Sequence, residues 1–211
     1  MGHKMQLSLL FCFAITFTMG KKVIDELFDT FGEWGDEDGP DLEEFRKIIE
    51  NNKDDLKSFI NTREKSSGQT PLMKSVLMGH TEVVRILLDL EEVDVTIGEK
   101  DGYTPMHGAG FQGRADIVKL LAEKNIDPSE YHKDGYTPLH RACWGQDQRH
   151  LETVKIFVDV AKVPYNQKTK DGTKTCKKIA MHPGIVELME KYEKEEDQIS
   201  NQKSEVTKEE L

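Results

Sequence analysis

The chain has 211 residues, enough for one domain or for one repeat array with flanking segments. Its 39 acidic residues outnumber its 29 lysines and arginines, and the net charge of −10 argues against nucleic acid as a partner. Three cysteines are too few for a disulfide framework or a cysteine-based zinc finger.

Residues 1–20 contain no acidic residue, and an apolar run extends from Leu7 to Phe17. A helix that crosses a bilayer needs ~20 apolar residues, so this run is too short to form a stable span. Its length and flanks are typical of a secretory signal peptide. We predict a cleaved signal over residues 1–20, with a short buried helix or an uncleaved signal anchor as alternatives.

Residues 21–66 carry two stretches with helical apolar spacing, separated by an acidic loop that contains Trp34. This helix–loop–helix pattern resembles an EF-hand. The resemblance implies calcium ligands at Glu33, Glu37 and Glu44, but Gly39 falls one residue late for the sharp turn and Pro40 replaces the usual apolar residue. The preferred interpretation is a helical cap with an acidic linker, and calcium binding is the alternative.

The middle of the chain repeats itself with a period of about 33 residues. Lys100–His107 returns as Lys133–His140, Gly68–Met73 is a looser earlier copy, and Lys170–Gly172 begins a later one. Each Thr-Pro is followed by a second apolar stretch with helical spacing. This pattern resembles the ankyrin repeat, clearly over residues 67–170 and in degenerate form to residue 192.

The resemblance implies an all-α ankyrin-repeat solenoid over residues 67–192, with three clear repeats, a degenerate capping repeat and an N-terminal helical cap. Partners of ankyrin repeats usually contact the finger-like turns and the exposed side of each first helix. The resemblance therefore implies a non-enzymatic protein-binding adaptor or scaffold without a cofactor. Phe111 and Trp144 have packing between repeats as an alternative role. The predicted partner-binding residues are Gln69, Lys74, Leu77, Tyr103, Phe111, Tyr136, Arg141 and Trp144.

The remaining chemistry-bearing residues are interpreted as structural. No phosphate-binding glycine loop, nucleophile elbow or metal-binding histidine pair is present in the sequence, so no enzymatic activity is predicted. His107 and His140 occupy the Thr-Pro-x-His positions, where an imidazole usually bonds the backbone. A disulfide between Cys143 and Cys176 is compatible with an oxidising lumen, but we expect Cys143 to be a buried free thiol.

Residues 193–211 are rich in lysine and glutamate, and we predict a disordered tail or a frayed helix. The sequence Lys208–Leu211 resembles the C-terminal retrieval signals of the endoplasmic reticulum. Together with the predicted signal peptide, it favours the lumen of the endoplasmic reticulum, with secretion as the alternative. In that compartment the alternative function is a calcium-binding protein that acts through its acidic N-terminal segment.

Overall fold

The computed structural model describes residues 22–33 and 39–209. Residues 22–29 form helix α1. A 3₁₀ turn at Lys53–Asp55 precedes α3, and a π-helical turn at Ile156–Val160 follows α9. The other helices are α2 (Leu42–Asn51), α3 (Leu56–Phe59), α4 (Pro71–Met78), α5 (Thr81–Leu88), α6 (Pro105–Gln112), α7 (Ala115–Glu123), α8 (Pro138–Cys143), α9 (Gln148–Lys155), α10 (Cys176–Ile179) and α11 (Pro183–Glu209).

The predicted all-α repeat fold is confirmed. Within the described ranges there is no strand, and the extended backbone pairs only in an isolated antiparallel bridge between Lys168 and Thr175. The chain divides into two compact units, an N-terminal unit (Met1–Pro105) and a C-terminal unit (Met106–Leu211). None of the helices in the described ranges is both long and apolar enough to cross a bilayer.

In the N-terminal unit, α1 packs against the first of the predicted repeats. The ring of Phe31 lies 5.9 Å from that of Phe45 on α2 and 6.1 Å from the imidazole of His80, between α4 and α5. The Nε2 atom of His80 is 3.0 Å from the backbone carbonyl oxygen of Phe31. Phe31 and Phe45 are completely buried, so residues 22–33 and 39–51 contribute to the core of this unit.

The repeat helices begin and end at the residues that the sequence indicates. The hydroxyl of Thr70 accepts a hydrogen bond from the backbone N–H of Met73 at the start of α4, and Pro71 occupies the first helical position. Gly79 ends α4 in the left-handed conformation, with φ of 84°, which a residue with a side chain adopts only with strain. Thr137 caps α8 and forms a capping box with His140.

The last repeat of the C-terminal unit differs from the other repeats. Helix α10 has four residues, because the degenerate fourth copy lacks the Thr-Pro box that starts the other first helices. Helix α11 runs to Glu209, through the segment for which we predicted a disordered or frayed tail from residue 193. Lys191 and Glu195 form an i,i+4 ion pair on this exposed helix, which is a pattern that supports helix formation without burial.

Candidate protein-interaction site

Two aromatic residues at the ends of α8 form a surface pair in the C-terminal unit. Tyr136 precedes the N-cap of α8, and Trp144 is its C-cap residue. Their ring centroids are 4.7 Å apart, and both side chains are half-buried. We call Tyr136 and Trp144 the aromatic pair. Contacts at this distance make the two rings one amphipathic surface.

Arg141 packs against both rings of the aromatic pair. Its guanidinium group lies 4.5 Å from the ring centroid of Trp144 and 5.2 Å from that of Tyr136. The same group forms an ion pair with Asp134, and the Arg141 side chain is 7% exposed. A planar cation under two rings stabilises them by cation–π attraction. We therefore assign to Arg141, which sequence reasoning treated as a flanking partner contact, a positioning role.

Asp134 in turn orients Arg141 through their ion pair. Its carboxylate also contacts His132 at 3.0 Å and accepts from the backbone N–H of Tyr136 at 3.2 Å. Partial burial raises the pKa of Asp134, but the hydrogen bonds from His132, Tyr136 and Arg141 outweigh this and hold that pKa well below its usual range. The carboxylate is thus ionised at every physiological pH.

The fourth repeat contributes Lys174 to the edge of the aromatic pair. Its Nζ donates a hydrogen bond of 2.8 Å to the hydroxyl of Tyr136 and lies 5.5 Å from the ring centroid. This hydrogen bond to Tyr136 also raises the pKa of the Lys174 ammonium. The aromatic pair is consequently bordered by a permanent positive charge on its finger side.

Phe111 and Met181 are among the exposed large apolar residues of the C-terminal unit, together with Tyr131, Val160 and Ile199. Phe111 is 55% exposed, so its ring is not buried between repeats, and its backbone carbonyl lies 3.1 Å from the Nε2 of His150. Met181 is 59% exposed, and its backbone N–H bonds the carbonyl of Cys143. Sequence reasoning missed Met181, because the fourth copy has lost the Thr-Pro residues that set the register.

The predicted site residues of the N-terminal unit are less exposed. Gln69, Leu77 and Tyr103 are half-buried. Lys74 forms an ion pair with Glu64 at 3.0 Å, and its ammonium group lies 5.1 Å from the ring centroid of Phe28. The charge of Lys74 is thus used within the unit. A role for these four residues in partner binding stays a prediction.

The calcium prediction also stays a prediction. Glu33 is exposed, and Glu37 lies outside the described residues. The carboxylate of Glu44 forms an ion pair with Lys47 at 2.8 Å, while its backbone N–H bonds the capping carboxylate of Asp41. The part of the chain that the structure describes contains no group of three or more histidine, cysteine or acidic residues placed to hold a metal ion.

Cys143 and Cys176 form a disulfide, which corrects the expectation of a free buried thiol at Cys143. Their Cα atoms are 5.5 Å apart, inside the range that a disulfide bridges, and both residues are fully buried. Cys143 ends α8 and Cys176 begins α10, so the two helix termini meet closely, although the axes of stacked helices are usually ~8–10 Å apart. The bond joins the fourth repeat directly to the helix that carries the aromatic pair.

A family model for ankyrin repeats matches residues 41–132 and 101–171, with three copies. These spans cover more than half of the chain, and the protein belongs to the ankyrin-repeat family. The match begins at residue 41, within the segment predicted as an N-terminal cap. Ankyrin repeats are generally non-enzymatic protein-interaction modules, so the family indicates a protein-binding role.

Several curated proteins are similar to part of the chain. Notch-regulated ankyrin repeat-containing protein of Homo sapiens is 39% identical over 27% of this chain and 49% of its own length. Inversin of Danio rerio is 37% identical over 29% of this chain and 6% of its own. Protein phosphatase 1 regulatory subunit 12A of Mus musculus is 34% identical over 31% and 6%. The chain thus spans at most about half the length of these relatives.

Proposed function

We propose that this protein is a non-enzymatic adaptor that binds a partner protein through the aromatic pair of its C-terminal unit. The observation that carries the proposal is the contact of Tyr136 with Trp144 at 4.7 Å on a half-exposed surface. Tyrosine and tryptophan supply much of the binding energy of protein interfaces when a partner buries them. The ion pair of Arg141 with Asp134 preorganises the two rings, which lowers the entropy cost of binding.

Site-specific photo-crosslinking tests this proposal without relying on a destabilising substitution. A benzoyl-phenylalanine at position 136 or 144 should form covalent adducts with a partner in the producing cells. The matched control position is Tyr165, a half-buried ring that pairs with Tyr192 at 5.8 Å elsewhere in the same unit. Adducts that form equally from position 165, or from none of the three, would contradict the proposal.

We further propose that the adaptor acts in the lumen of the endoplasmic reticulum, with secretion as the alternative. The disulfide between Cys143 and Cys176 supports an oxidising compartment, because disulfides are rare in cytosolic proteins. The apolar run of residues 1–20 and the sequence Lys208–Leu211 support the same compartment. The alternative function, calcium binding, is supported only by the resemblance to an EF-hand. Calorimetric titration with calcium of a chain that keeps residues 33–44 would test it.

A further inference from the structure

Positive charge is concentrated in one segment of this acidic chain. Residues 162–178 contain six lysines and a single acidic residue, Asp171, so the segment carries a charge of +5 (6 − 1) in a chain of net charge −10. The segment includes the finger-like turn of the fourth repeat and the short helix α10. A local patch of this sign creates a positive potential at the surface that attracts anionic groups.

The finger-like turns of the third and fourth repeats bring this charge next to the aromatic pair. The backbone N–H of Lys170 donates to the carbonyl of Gly135 at 2.9 Å, so the two turns lie side by side. Between them is an open groove of about 320 Å³, lined by residues 133–136 and 169–171. We call this space the finger-tip groove. Tyr136 lines it and also belongs to the aromatic pair.

The two acidic residues of the finger-tip groove are committed to internal hydrogen bonds. Asp134 bonds Arg141 and His132, as described above. One carboxylate oxygen of Asp171 accepts from the hydroxyl of Thr169 at 2.5 Å and from the hydroxyl and backbone N–H of Thr173 at 2.9 and 3.0 Å. Both carboxylates therefore already accept hydrogen bonds from neighbouring residues of the protein.

The two lysines that line the groove differ from these carboxylates in their contacts. Lys133 and Lys170 are exposed, and within the described ranges neither forms an ion pair or a side-chain hydrogen bond. Lys174 completes the positive edge through its bond to the Tyr136 hydroxyl. Three ammonium groups thus border a groove whose two carboxylates are hydrogen-bonded within the protein, with two aromatic rings alongside.

We propose that the finger-tip groove binds the carboxylates of an acidic peptide segment of the partner, with an apolar side chain of that segment resting on the aromatic pair. This inference rests on the proposed function and specifies the chemistry of its partner. Charge complementarity selects acidic over basic segments, and the aromatic pair supplies the apolar anchor. A nucleic acid fits less well, because the net charge of −10 repels a long polyanion beyond the local patch.

Selection from a displayed library of random peptides on the intact, oxidised chain tests this inference. We expect enriched peptides to contain clustered aspartate or glutamate with an aromatic or large aliphatic residue nearby. The variant Lys133→Glu/Lys170→Glu should bind them about tenfold more weakly. The control Lys191→Glu/Lys194→Glu changes the net charge equally on the exposed face of α11 and should leave their affinity unchanged within about twofold.

The outcomes separate this inference from the proposed function. Neutral or basic peptides that lose affinity in Tyr136→Ala/Trp144→Ala would overturn the acidic specificity and leave the aromatic pair as a binding site. Peptides whose affinity neither the lysine nor the aromatic variant reduces, or no enrichment at all, would contradict both. Tighter binding of a random single-stranded oligonucleotide than of the selected peptides would overturn the inference in favour of a phosphate-backbone ligand.

Discussion

At the residue scale, two cations at equivalent positions of their repeats support aromatic rings through different partners. Lys74 and Arg141 both follow a Thr-Pro pair at the same spacing. Lys74 lies over Phe28 and bonds Glu64, whereas Arg141 lies over the aromatic pair and bonds Asp134. Both cations therefore support neighbouring rings. Sequence spacing predicts their position on the helix but not the ring under Lys74, because Phe28 is distant in the chain from the Thr-Pro motif.

His107 gives the C-terminal unit a predictable pH dependence. Burial lowers the pKa of its imidazole from 6.5 to about 4, although a hydrogen bond to the Tyr136 backbone acts in the opposite direction. The unfolded chain takes up a proton near pH 6.5, whereas the folded chain does not until about pH 4. Stability is thus full above pH 6.5 and falls as the pH drops through this interval.

We expect the free energy of unfolding to decrease by about 3 kcal/mol over this window, at about 1.4 kcal/mol per pH unit. Urea unfolding at several pH values measures the slope, and His107→Gln should reduce it. Burial also lowers the pKa of His140, so a smaller slope should remain in the variant. A wild-type stability that does not change between about pH 7 and pH 4.5 would contradict the assignment.

At the scale of the elements, all six residues of the short helix α8 are buried, and the aromatic pair flanks the helix at its two ends. Leu139 is completely buried, whereas Phe111 on α6 is 55% exposed. Leu139→Ala should destabilise the protein by about 2–4 kcal/mol, because it leaves a cavity in the core. The control Phe111→Ala should change the stability by less than about 0.5 kcal/mol. Equal effects of the two substitutions in urea unfolding would show that the burial pattern is incorrect.

The disulfide between α8 and α10 should contribute substantially to stability. It closes a loop between residues 33 apart, for which the chain-entropy relation gives about 3–4 kcal/mol. Cys143→Ala/Cys176→Ala should lower the free energy of unfolding by this amount, and dithiothreitol should destabilise the wild type but not the variant. A wild-type urea midpoint that is the same with and without dithiothreitol would contradict this account.

The sequence predicts some elements much better than others. Thr70, Thr137 and Gly79 indicate the helix boundaries because capping and left-handed backbone depend on single residues. The sequence left a disulfide between Cys143 and Cys176 as an alternative but favoured a free thiol, because spacing alone does not show that the fourth repeat brings Cys176 against Cys143. For residues 193–209 the sequence left disorder and a frayed helix both open, because a Lys/Glu-rich composition is compatible with either.

For the molecule as a whole, charge is distributed very unevenly. Residues 162–178 carry +5, so the rest of the chain carries −15 (−10 − 5). This contrast marks residues 162–178 as a positively charged segment, which the sequence analysis did not single out. The sequence does not show that Asp134 and Asp171 are bonded internally while Lys133 and Lys170 are exposed, and the proposed acidic specificity depends on these contacts.

The compartment of the whole protein is testable in the cells that produce it. The full-length chain should be retained in the endoplasmic reticulum, and deletion of Leu211 should send it to the medium, because the receptor reads the free C-terminus. Cys143 and Cys176 should resist alkylation until a reductant is added. A cytosolic full-length chain whose two thiols are alkylated without a reductant would contradict the proposed location.

The fluorescence of Trp144 tests most directly whether the aromatic pair is the binding site. The chain has two tryptophans, so Trp34→Phe leaves Trp144 as the only indole. This variant is titrated with the partner identified by photo-crosslinking or with a peptide selected from the library. Binding should shift the emission of Trp144 to shorter wavelength, and this shift should saturate at the same ligand concentrations as the anisotropy of the labelled ligand. Saturable anisotropy without any change in Trp144 emission would show that the ligand binds elsewhere, and would contradict the account.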